Sequence, residues 1–462
     1  MNAPRVARTR PPSTHLNREI LRLAIPSFFA TITVPLVGIA DTALVGQLGP
    51  VAFIGAVSIG SMVFDALYWV FGFLRMGTTA IVAQAYGAGD DARAGQTLLQ
   101  SATLALLLGV SIILLRQPIA TLGLRLAGGT PEVQRWAYSY IEIRILGAPA
   151  VLLLFALSGF FRGMKDAVTP LVVTLVLHVV NVVGDVLLIH GLLGLPKLGV
   201  VGAAWASLFG ALAGVSVALA VLAVRYNHAL RAGWHAAGLF SPRRLRRLLA
   251  TQTHLFNRTL LLMAAYFVMV AVAARLGEVP LAANAILLQL WYLSAYSIDG
   301  VALACETLVG NALGAGEASL TRRLIGRATL WGLAISGVYA LLYLFGMRLI
   351  AAAFTRDPEV VRTVVGLTWI MVLLQPINAI AFVFDGVFIG ANDTRFLSLQ
   401  IAVSCLGVFV PAVLLLAGVL HLGLAGLWIA MALFSTARAV ILAARCKQPA
   451  WIERRLREAA LV

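Results

Sequence analysis

Charge is scarce in this chain of 462 residues: 12% is Asp, Glu, Lys or Arg, against 61% hydrophobic, and the mean hydropathy is +0.93. That balance excludes a soluble globule of this length and describes an all-α, polytopic membrane protein. Cysteine is nearly absent. Cys305, Cys405 and Cys446 lie in or beside apolar runs, without metal-ligand spacing and without a disulfide framework. A Gly-x-x-x-x-Gly-Lys phosphate loop is missing, which argues against a nucleotide-driven pump. So are paired His or Cys motifs for metal chemistry and any catalytic constellation. We therefore expect no enzyme, no metal and no organic cofactor. The first 18 residues are polar and basic, with no short apolar core and cleavage site, so no removable signal peptide is expected.

Positive charge is the exception, with 35 Lys and Arg to 19 Asp and Glu and a formal net charge of +16. The arginines sit in the gaps between apolar runs, a pattern that orients a protein in a membrane and does not call for nucleic acid. Twelve spans can be drawn, over 19–47, 51–74, 92–121, 131–163, 168–190 and 199–226, then 246–276, 280–312, 318–349, 358–391, 394–420 and 423–446. With both termini on one side, that side collects 24 of the 35 basic residues and the opposite loops collect eight. The expected address is therefore the cytoplasmic membrane of a prokaryote, with both ends inside.

The two halves repeat each other. YGAGD at 86–90 pairs with LGAGE at 313–317, and TPEV at 130–133 with DPEV at 357–360. Pro149 pairs with Pro376, and SGFFRGMKD at 158–166 with DGVFIGAND at 385–393, all at an offset of 227. LGPVAFIGA at 48–56 pairs with LGEVPLAAN at 276–284, one residue further on. Matches in order at nearly constant offset imply two six-helix repeats. Six is even, so both repeats enter from the same side and their pseudo-two-fold axis follows the membrane normal. The expected organisation is a basic tail over 1–18, an N-lobe over 19–226, a linker over 227–245, a C-lobe over 246–446 and a second basic tail over 447–462. The cleft between lobes is the natural substrate site.

Ile25 to Gly49, reading IPSFFATITVPLVGIADTALVGQLG, is long and apolar enough to cross a bilayer. Pro26 and Pro35 interrupt it, each removing a backbone hydrogen bond and offering a bend. Asp41 lies six residues past the second proline, and an acid in hydrocarbon marks an ion or substrate path more often than not. In the fifth span His178, Asn181 and Asp185 are spaced by three and four residues and share one helical face.

These stretches, with FGFLRMGTTAIVAQAYGAGD, SGFFRGMKDAVTP and HVVNVVGDVLLIHG, resemble the multidrug and toxic compound extrusion (MATE) family, in its DinF-like prokaryotic branch. The resemblance covers nearly the whole chain. It implies a two-lobed bundle of 6+6 helices that exports organic cations or other toxic compounds in exchange for protons or sodium. It also implies an N-lobe network mapping onto Asp41, Asn181 and Asp185, with Tyr140 of the fourth span beside them. Burial favours a neutral carboxyl, whereas hydrogen-bond donors or a bound cation favour the charged one. An acid balanced between the two can exchange a proton as it faces one side and then the other. Protonation of Asp41, with bending at Pro26 and Pro35, would then expel the substrate. The blander reading of the same side chains is polar glue between helices.

The second lobe carries Asp299 and Glu306, seven apart on the eighth span, and Asp385 on the tenth, a possible second cation site. Asp65 and Glu142 read as structural; Glu142 and Arg144, two apart on a helix, cannot face each other, so interhelical partners are expected. Arg75 reads as snorkelling or paired with an acid. Tyr68, Trp69, Trp291, Tyr292 and Tyr296 offer aromatic faces for flat organic cations. Arg243, Arg244, Arg246 and Arg247 suit anionic lipid. Expected partners are thus amphiphilic small molecules and membrane lipids, around a monomer. Two other readings stay open: a flippase for lipid-linked oligosaccharide or another amphiphilic lipid, and a membrane scaffold or sensor that transports nothing.

Overall fold

A computed structural model describes residues 13–46, 51–236 and 238–460, and every regular element among them is helical. The first helix runs from Ser13 to Gly46, about 50 Å at the usual rise, and is continuous past Pro26 and Pro35. Eleven further helices are long and apolar enough to cross a membrane. The second to sixth spans occupy Ala52–Ala88, Asp91–Leu114, Pro131–Gly163, Val168–His190 and Val200–Arg225. The seventh to twelfth occupy Pro242–Leu276, Glu278–Gly314, Ala318–Phe354, Thr368–Gly390, Thr394–Val419 and Gly423–Lys447. The described residues form an all-helical bundle of two six-helix lobes. Glu19 of the first span and Trp451 of the C-terminal helix reach Lys165 and Asp393, in the turns after the fourth and tenth spans, so the described ends share one face.

Local chemistry explains several boundaries. Thr130 caps the fourth span through the Val133 amide, and Asp357 caps the short helix Pro358–Gly366 through the amides of Glu359 and Val360. These are the repeated TPEV and DPEV segments, each placing proline at the first helical turn, where its missing N–H costs nothing. The fifth span stops at Gly191, which takes the left-handed conformation at φ 72°. Three spans differ from the sequence reading. The second continues to Ala88 rather than ending near 74, turning at Gly72. The third stops at Leu114, with a separate helix over Arg116–Ala127. The tenth begins at Thr368, after the short helix Pro358–Gly366. The stretch read as a linker contains a helix, Asn227–His235, packed on the third span.

The first span packs against both the fifth span of its own lobe and the eighth span of the other. The inner half of the second span, Phe73–Ala88, also packs on the eighth. The lobes therefore meet on the face that carries the chain ends. Apolar side chains such as Leu107, Phe267, Phe345 and Leu414 stand exposed on the outside, as a hydrocarbon surrounding allows.

Candidate functional site

The fifth span presents the predicted face. Asn181 and Asp185 are buried, at 3% and 0% exposure, with Ile189 continuing the same stripe and His178 half-buried. The Asn181 side-chain amide donates to Ser207 Oγ of the sixth span at 3.3 Å. Ala206 and Gly210 let these helices close up: a Cβ on Gly210 would lie 2.7 Å from the Leu177 carbonyl. The first span also packs on the fifth. The side chains of Asp41 and Pro35 lie outside the described residues; Pro26 is half-buried.

Tyr140 is fully buried, and its hydroxyl turns to the second span. It accepts from Arg144 Nη1 at 2.7 Å and lies 3.4 Å from Ser61 Oγ. Arg144 also donates to Ser61 at 3.2 Å and stacks its guanidinium over Phe64, 4.9 Å from the ring centroid. The expected interhelical partner of Arg144 is thus Ser61, which the sequence did not single out.

Between the lobes runs a ladder of aromatic rings. Trp69 of the second span, 42% exposed, stacks on Tyr266 of the seventh at 5.7 Å and 19°. Tyr266 meets Trp291 edge-on at 5.2 Å and Tyr292 at 5.8 Å, and Tyr292 stacks on Tyr296 at 6.2 Å. Trp291 is only 2% exposed and belongs to the C-lobe core, not to an open surface. Tyr266, absent from the predicted cluster, is the ring that joins the lobes. Asp65 lies one turn before Trp69, and Asp299 three residues after Tyr296. Both act electrostatically on Tyr296, so carboxyls accompany the ladder at this ring. Aromatic faces beside carboxylates suit flat, cationic guests.

Deeper in, charge is paired. Asp385 Oδ2 accepts from Arg258 Nη2 of the seventh span and Arg438 Nη2 of the twelfth, both at 2.5 Å. Arg438 is also sandwiched by Phe382 and Phe434, each 5.5 Å from its guanidinium carbon. Glu306, 2% exposed, lies 3.7 Å from Arg75 Nη1 across the lobe boundary. Arg162, close enough to feel Glu306, donates to Ser27 Oγ of the first span at 2.6 Å. Among the described residues no three Asp, Glu, His or Cys side chains converge to hold a metal ion. Asp385 and Glu306 each have guanidinium partners, and Asp299 lies close enough to Arg75, Arg258, Arg438 and Asp385 to interact with them electrostatically. A proton needs no such convergence.

A family model described as MatE matches residues 26–187 and 256–415. The chain is 33% identical over 437 residues to DNA damage-inducible protein F of Escherichia coli K12, covering 93% of this chain and 92% of that one. It is 27% identical over 421 residues to a probable multidrug resistance protein, NorM, of Thermotoga maritima, covering 90% and 89%. A crystal structure described as MATE in the bent conformation superimposes with a TM-score of 0.84 at 22% identity, covering 98% of this chain and 99% of that one.

Proposed function

Because the chain belongs to the MatE family, whose members are transporters and not enzymes, we propose that it is a secondary active multidrug efflux antiporter. It exports amphiphilic, mainly cationic organic compounds in exchange for H⁺ or Na⁺. It sits as a monomer in the cytoplasmic membrane with both termini inside, in contact with anionic lipid through Arg243, Arg244, Arg246 and Arg247. The distribution of basic residues supports that orientation.

The observation that carries this reading is the burial of Asn181 and Asp185, at 3% and 0% exposure, on one face of the fifth span. A carboxyl held at 0% exposure inside a membrane lobe is costly and marks an ion path. In this mechanism Asp41 and Asp185 exchange the coupling ion, and the first span bends at Pro26 and Pro35 as their hydrogen bonds change. The aromatic ladder holds the cargo while Asp65 and Asp299 supply the complementary charge. Asp299 and Glu306 are the C-lobe acids with a part in coupling; Asp385 serves to tie three helices together.

Purified protein in proteoliposomes, given an imposed pH or sodium gradient and a fluorescent cationic dye, tests the scheme. Asp41→Asn and Asp185→Asn should each abolish gradient-driven dye movement while dye binding persists. Unchanged flux in both variants would remove the N-lobe network from the mechanism. Flux that ignores either gradient in the native protein would remove antiport itself.

A further inference from the structure

On the face that carries the chain ends, the second and eighth spans cross with backbone against backbone. A Cβ on Gly87 would stand 2.0 Å from the Asn311 carbonyl oxygen, and one on Gly314 2.0 Å from that of Gln84. No side chain fits either place. Gly87 and Gly314 are repeat mates at the offset of 227, and so are Gln84 and Asn311.

The side chains continue the symmetry. Gln84 Nε2 donates to the Gly390 carbonyl at 3.1 Å, from the N-lobe into the C-lobe. Asn311 Nδ2 donates to the Gly163 carbonyl at 3.3 Å, from the C-lobe into the N-lobe, and also to Thr307 O of its own helix at 2.7 Å. Gly163 and Gly390 are again mates, each the last residue of a span. Beyond them the chain makes the same tight turn twice, through Lys165 at φ 62° and Asn392 at φ 52°. The turn amides fold back onto the carbonyls of Phe160, Phe161 and Arg162 in one lobe and Val387, Phe388 and Ile389 in the other. The carbonyls of Gly163 and Gly390 are left for the amides to take. A helix-terminal carbonyl needs such a donor, and here it comes from the opposite lobe. Gln84 and Asn311 are 4% and 5% exposed, so the bonds are dry.

We propose that Gln84 and Asn311 are a matched pair of positioning residues for transport, a double latch holding the lobes shut on this face. The two release together when the face opens. The proposal rests on the antiport reading, in which the cleft between the lobes opens to each side of the membrane in turn. A rocking motion about the pseudo-two-fold axis lengthens both bonds equally, so neither lets go alone. Once the crossing parts, water reaches both glycine carbonyls and both amides, and no polar group stays buried without a partner. Neutral amides do not titrate, so the latch holds the same at any pH, unlike the Arg75–Glu306 pair beside it.

Double electron–electron resonance on the full-length protein in lipid nanodiscs tests this without substrate or gradient. Spin labels go on Ala88→Cys and Ala315→Cys, exposed mates on the two lobes, in a background lacking the native cysteines. Gln84→Ala and Asn311→Ala should each raise the ratio of separated to closed lobes roughly fivefold, and the double variant roughly twentyfold. Asn311→Gln, which keeps an amide, should stay nearer the unsubstituted protein than Asn311→Ala. A double variant whose distances superimpose on those of the unsubstituted protein overturns the latch. So does Asn311→Gln opening as far as Asn311→Ala. If the double variant fails to fold, the two single variants decide by the same fivefold measure. Because distances are read at rest, a latch that holds while dye flux is absent would count against the antiport reading alone.

Discussion

Arg438 and Asp385, 53 residues apart in sequence, share a 2.5 Å contact at which both side chains are almost wholly buried. Arg258 reaches the same carboxylate oxygen from a third helix. A buried ion pair earns its place only when every partner is present: removing one leaves an uncompensated charge in low dielectric.

Asp385→Asn should therefore destabilise the folded protein by about 3–5 kcal/mol, because two guanidinium groups lose their counter-charge. Denaturant titration in mixed micelles measures it, with Asp299→Asn as the comparison expected to cost less. Equal stability for both variants would mean that the triad does not hold the C-lobe.

The Arg75–Glu306 contact joins the lobes at 3.7 Å, with Glu306 at 2% exposure. Arg75→Ala alone should cost more than Arg75→Ala combined with Glu306→Gln, since the single change strands a carboxylate. A double-mutant cycle on stability should return a coupling of about 1–3 kcal/mol. Additive costs would leave Glu306 to Arg162 instead.

Stacking of Trp69 on Tyr266 across the cleft predicts a direct effect on cargo. Trp69→Ala and Tyr266→Ala should each weaken binding of a flat organic cation by roughly tenfold, about 1.4 kcal/mol, and Tyr266→Phe far less. Fluorescence polarisation of a bound dye reads this in detergent. Loss of affinity in Tyr266→Phe equal to that in Tyr266→Ala would point to the hydroxyl rather than the ring.

The C-terminal helix Pro449–Ala460 is fastened by Asp393, which accepts from Trp451 Nε1 at 2.9 Å and attracts Arg445 and Arg455 at 3.5 and 3.7 Å. Trp451 also packs on Phe388 at 5.0 Å. Trp451→Ala removes both ties and should cost the helix about 3 kcal/mol of local stability. Hydrogen exchange over 449–460 should then speed up by roughly a hundredfold, with the spans unchanged. Unaltered exchange would mean that Ile452 and the arginine contacts suffice.

Much of this was legible along the chain. The fifth span begins and ends where its apolar run does, because nothing inside it competes with helix and Gly191 stops it. The repeat was legible because symmetric packing asks for the same small residues at the same steps, as at Gly87 and Gly314. The end of the second span was not. The expected bounds stopped at 74, yet the helix runs on, and Arg75 and Gln84 reach from it to Glu306 and the Gly390 carbonyl of the other lobe, partners that local sequence does not contain. Tyr266 and Ser61 escaped notice for the same reason, since each gains its meaning from a helix far away in the chain.

The sequence by itself determined a twelve-helix membrane protein in two matching halves, because burial of apolar length and the periodicity of a repeat are properties of residues in order. Which acid meets which base was settled only in three dimensions. Asp299, Glu306 and Asp385 look alike on paper, but Arg258 and Arg438 bond directly to Asp385, Arg75 approaches Glu306, and Asp299 interacts with these arginines electrostatically. Electrostatic interaction depends on distance and dielectric, and both are set by how the helices pack.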